Sequence, residues 1–139
     1  MKPPLRLTGW HQRMVWAVLA GLLASGAVWL VFQFLVEPGD MGQHPAQAWS
    51  LRIHGGLAML ALVVVGSLLP HHALAAWRIG RNRLSGGTML TALTLLAVSG
   101  WLLYYAGSPA LRDTASLCHW LLGLATPLLL GWHWLQRRR

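Results

Sequence analysis

Apolar residues run along this chain in four long stretches, interrupted by very few polar ones. Met14 to Val36 has only Ser25 and Gln33 as polar breaks. A helix rising ~1.5 Å per residue needs ~20 apolar residues to cross the ~30 Å hydrocarbon core of a bilayer. The pattern therefore predicts spans over approximately 14–36, 47–77, 88–106 and 114–135. Glu37-Pro-Gly-Asp-Met-Gly-Gln-His-Pro45, rich in helix breakers, separates the first two. Pro70 is expected to kink the second span, and Arg78-Ile-Gly-Arg-Asn-Arg83 to form a short basic loop before the third. Gly107 to Asp113 is the last loop, with Asp113 expected to cap the fourth helix.

Composition strengthens the same picture. Hydrophobic residues make up 55% of the 139, charged residues 10%, and nine are tryptophan. Water-soluble domains average ~25% charged residues, so the shortfall names lipid as the solvent. The expected fold class is all-α, an integral membrane four-helix bundle forming a single transmembrane domain over 1–139. A basic start before an apolar run also describes a signal peptide, and Ala24-Ser-Gly-Ala27 offers small residues for cleavage. The run exceeds the ~7–15 residues of a signal core, which favours a retained first span.

The net charge of +8 could suggest nucleic acid, but the basic residues lie between apolar runs rather than along one soluble face. Their distribution sets an orientation instead. Lys2, Arg6, Arg13, Arg78, Arg81, Arg83 and Arg137 to Arg139 fall on one side. Arg52 and Arg112 fall on the other, with all three acids, Glu37, Asp40 and Asp113. Basic loops stay inside, so both termini are expected in the cytoplasm.

Ionisable groups inside spans are expensive and usually face a partner, cofactor or cavity. His119 and His133 on span four are 14 residues apart, ~21 Å along the axis and within ~40° of the same face. Spans two and four run the same way across the membrane. His54 then shares the outer depth with His119, and His71 and His72 share the inner depth with His133. Two cross-helix imidazole pairs at two depths are what two stacked haems would need. His72 lies five whole turns from His54 and is the expected inner ligand, with His71 or His11 as substitutes. His44 reads as a solvated loop residue. The one cysteine, Cys118, allows no intrachain disulfide, and Cys118-His119 lacks the C-x-x-C-H pattern, so any haem is held without thioethers.

Gly26, Gly87 and Gly100 would let a porphyrin approach the backbone, although glycines also serve simple helix packing. Arg52 and Arg112 could pair with propionates, or merely cap and anchor. A faint internal repeat relates Leu23-Ala-Ser-Gly26 with Trp29-Leu30 to Leu96-Ala-Val-Ser-Gly-Trp-Leu102, as two parallel hairpins would.

With His54, His119 and His133 on spans two and four of an up-and-down bundle, Arg52-Ile-His-Gly55 and Arg81-Asn-Arg-Leu-Ser-Gly86, the chain resembles the small four-helix diheme b-type cytochromes of bacterial membranes. Their larger relatives are the cytochrome b anchor subunits of hydrogenases and formate dehydrogenases. The resemblance implies a multi-pass protein of the bacterial inner membrane. It further implies electron transfer through two haem b groups, between a quinone pool and a redox partner protein or larger redox complex. Two alternatives of other classes stand beside it: a haem-free structural or assembly subunit of a larger membrane complex, and a metal or small-solute carrier. The carrier would want acidic or thiolate companions that the spans barely provide.

The orientation is testable in a Cys118→Ser background. An impermeant maleimide applied to intact cells should label Ser108→Cys and spare Arg81→Cys; the reverse pattern would invert the topology.

Overall fold

The computed structural model describes residues 9–37, 42 and 44–136. Lys2, Arg6, Asp40 and Arg137 to Arg139, used in the orientation argument, lie outside the described residues. The described chain is helical: α1 (Gly9–Phe34), α2 (Pro45–Leu68), a π-helical turn (Leu69–Ala73), α3 (Leu74–Arg78), α4 (Arg83–Tyr105) and α5 (Pro109–Gln136). Four helices are long and apolar enough to cross a membrane, the second being Pro45–Arg78 at 34 residues.

Helix α1 begins at Gly9 rather than Met14, and three further starts differ from the sequence expectation for identifiable reasons. Helix α4 begins at Arg83, not Thr88, because Gly80 and Asn82 at positive φ close the basic turn and let the helix start directly after it. Helix α5 begins at Pro109, which suits the first helical position because its missing N–H would have no helical partner there. Ser108 precedes it, its Oγ 3.5 Å from the Leu111 amide, so Asp113 is a turn inside the helix and does not cap it. Helix α2 starts on His44, whose Nδ1 accepts from the Ala46 amide at 3.1 Å and whose ring stacks on Phe32 at 4.7 Å. His44 is thus a capping residue rather than only a solvated one.

Pro70 does more than kink the second span. It has no N–H to give the helical ladder, and the helix widens there into the π turn that carries His71 and His72.

The chain divides into two compact units, Met1–Leu69 and Pro70–Arg139. In the first, α1 packs against α2. Gln33 bonds to Gln47 at 3.0 Å, Ser25 meets His54, and Gly21 lies against Leu57. Partner numbers fall on one helix as they rise on the other, so the pair is antiparallel. In the second unit α4 packs against α5 the same way, Ser99 with His119 and Ser85 with His133.

Burial is inverted relative to a water-soluble protein. Ser25, Gln47, Ser50, Ser85, Ser99 and Thr126 are buried, while Phe34, Val63 and Leu128 are 66%, 70% and 77% exposed. In lipid, large apolar side chains gain nothing by hiding, and helices associate through small and polar residues instead. The polar breaks in span one follow this rule: Ser25 and Gln33 both bond across to α2.

A side chain at Gly21 would meet Leu57 Cδ1 at 2.9 Å, whereas Gly66 has open space around it. Gly21→Val should destabilise the α1–α2 pair by about 1–3 kcal/mol in detergent unfolding, as overpacking does. Gly66→Val should change it little; equal effects would refute this packing.

Candidate metal-ligating histidines

Three imidazoles are gripped in the same manner by the preceding helix. On α2, His54 Nδ1 lies 3.0 Å from Ser25 Oγ of α1. The next residue, Gly26, passes so close that a Cβ there would sit 3.3 Å from His54 Cε1. On α5, His119 Nδ1 lies 2.9 Å from Ser99 Oγ of α4, and a Cβ on Gly100 would sit 3.2 Å from His119 Cε1. Further along the same two helices, His133 Nδ1 is 3.2 Å from Ser85 Oγ, with Gly86 at 3.7 Å by the same measure. Each site is a Ser-Gly pair, the hydroxyl taking the ring nitrogen and the bare backbone taking the ring edge.

The two sites on α5 share one register. Ser85 and Ser99 are 14 residues apart, as are His119 and His133, so antiparallel helices meet twice on nearly the same face. Sequence reasoning missed Ser25, Ser85, Ser99 and Gly86 as site residues. The matched 14-residue spacing was the signal available for the α4–α5 pair.

Hydrogen bonding indicates where the ring protons lie. Ser25 Oγ is 2.8 Å from the Gly21 carbonyl and 3.1 Å from that of Leu22. Ser99 Oγ is 2.7 Å from the Leu95 carbonyl and 3.2 Å from that of Leu96. A hydroxyl has one hydrogen, and carbonyls can only accept it. With that hydrogen directed to its own helix, each serine accepts from the imidazole.

The inner pair expected from sequence can be followed within the second unit. The His72 and His133 rings have centroids 6.4 Å apart and planes at 78°. His71 on the same π turn is exposed. His11 is exposed in the first turns of α1.

The remaining expected residues have nearby protein partners. Arg52 lies over the Trp49 ring at 5.0 Å, and Arg112 donates to the Ala106 carbonyl at the end of α4 at 3.0 Å. Gly87 faces Trp77, at 3.6 Å, and it is Gly86 that lies beside His133. A shallow, open apolar groove in the second unit is lined by Trp77, Gly87, Thr91, Leu122 and Leu129, with Arg83 its one charged lining residue. The histidines are not among its lining residues. Among the described residues, no three His, Cys, Asp or Glu side chains cluster as a metal-ion site of protein ligands alone would require. No family model, curated protein or solved structure matches this chain.

Proposed function

We propose that the protein is a membrane-embedded b-type cytochrome that carries electrons between the two faces of a bilayer through two non-covalently held haems. The observation that carries this reading is the repeated grip on His54, His119 and His133. A metal-ligating imidazole characteristically donates its second ring N–H to a neighbouring oxygen, which fixes the ring and raises its basicity. A histidine serving only to join helices does not need a bare backbone against its ring edge, as Gly26 and Gly100 provide at 3.3 and 3.2 Å.

In this reading His54 and His119 are the haem ligands near the outer face, a pairing expected from the sequence because their spans run the same way. His72 and His133, whose rings meet edge to face with centroids 6.4 Å apart, would hold the other haem near the inner face. Gly26, Gly100 and Gly86 bring backbone against the ligand rings, while Arg52 and Arg112 remain candidates for propionates at the outer end. Bound iron porphyrin supplies the one-electron couple that no side chain of the spans provides. His119 and His133 stand ~21 Å apart along α5, a separation that would put the two couples in different leaflets. The family resemblance supplies the partners, a quinone pool and a redox protein or complex in the bacterial inner membrane.

His119→Ala should remove the outer haem and His133→Ala the inner one, each variant keeping the other in reduced-minus-oxidised spectra of the purified protein. If both variants retain two haems, the ligand assignment fails.

Within the doublet, His72→Ala should lose the inner haem and His71→Ala should keep it. Loss only in the His71 variant would transfer the role to His71.

A further inference from the structure

We propose that Ser25 and Ser99 are positioning residues that hold His54 and His119 in the Nδ1–H tautomer, presenting the Nε2 lone pair to iron. This rests on the cytochrome reading and assigns a cause for the ligands' competence. A neutral imidazole carries its proton on either nitrogen, and only the Nδ1–H form has an Nε2 lone pair. The serine hydroxyl biases the choice, and His54 also has a hydrogen bond to the Leu22 backbone. The hydroxyl hydrogen points to a carbonyl of the serine's own helix, at 2.8 Å from Gly21 for Ser25 and 2.7 Å from Leu95 for Ser99. Oγ is then an acceptor at 3.0 Å and 2.9 Å from Nδ1, and Nδ1 supplies the proton.

The opposite arrangement turns the hydroxyl hydrogen toward Nδ1. It would surrender both short carbonyl bonds and place the proton on Nε2, where it blocks ligation. The adjacent glycines add the second constraint. With Cε1 of each ring 3.2–3.3 Å from where a Cβ would be, the ring edge rests on bare backbone and the imidazole cannot slide away from its serine. A carbonyl-anchored hydroxyl also pulls charge into the ring through Nδ1–H, which makes Nε2 a stronger donor and favours ferric iron. Ser85 makes the same contact with His133 at the longer distance of 3.2 Å, so its effect is expected to be smaller.

The test uses the full chain in detergent, with ¹⁵N-labelled histidine, purified from both haem-replete and haem-deficient cells. In the haem-free wild type, the imidazole nitrogens of His54 and His119 should show protonated Nδ1 and bare Nε2. Ser25→Ala and Ser99→Ala should each shift the facing histidine toward the Nε2–H form. They should also weaken haem retention about tenfold, the range known for removing a partner of a metal ligand, and raise the midpoint potential of the outer haem. Ser25→Thr and Ser99→Thr should restore both properties, because a threonine hydroxyl makes the same bond to the i−4 carbonyl. Alanine variants with unchanged tautomers and unchanged potential in a haem-loaded protein would overturn the serine role while leaving the cytochrome reading intact. Wild type that binds no haem, yet shows tautomers that follow the serines, would overturn the cytochrome reading and keep the tautomer assignment.

Discussion

Within each hairpin, a hydrogen bond between a serine on one helix and an imidazole on the next determines which faces of two apolar helices can meet. Leucine and valine offer no such selectivity in a hydrocarbon solvent, because lipid tails pack against them equally well. A polar pair is different: either partner placed against acyl chains would leave a group unsatisfied. The bond itself is worth only about 0.6–2 kcal/mol in a membrane, so its contribution is register more than stability. Three such bonds, at Ser25, Ser99 and Ser85, set the α1–α2 and α4–α5 pairs.

Register also decides which side chains of two neighbouring helices face one another. Antiparallel helices whose Ser-Gly pairs and histidines both repeat at 14 residues meet twice on nearly one face, at depths ~21 Å apart. The same contact that aligns the helices occupies Nδ1 and orients each ring. Gln33 with Gln47 aligns α1 and α2 further without any titratable group, so the scaffold and the candidate ligands use the same physics but remain separable. Pro70 adds a departure from regular helix, opening the π turn from which His72 meets the ring of His133.

Much of this was legible from sequence. Four helices long and apolar enough to cross a membrane follow from apolar run lengths alone, and the histidines stand out because ionisable groups are scarce in such runs. What was harder lay at boundaries and in small residues. Ser85 and Gly86 fell outside the expected third span because Arg83, Ser85 and two glycines look like loop, whereas the positive φ of Asn82 allows a helix to start at once. Ser25 read as a mere polar break, since a serine in a helix is more often bonded to its own backbone, as Thr88 and Thr94 are here. The repeat of Ala-Ser-Gly26 in Val-Ser-Gly100 was visible, but its meaning needed the facing helix. Gly87 attracted notice by its depth, though the turn of the helix gives His133 to Gly86 and Trp77 to Gly87.

The account stands on iron porphyrin being what these imidazoles are built to hold. The most direct measurement is the haem content of the full-length protein purified in mild detergent, by pyridine haemochrome assay with a reduced-minus-oxidised spectrum. Two b-type haems per chain, both low-spin and both released by acid extraction, are the predicted result. A folded, colourless protein that takes up no haem when it is supplied would contradict it.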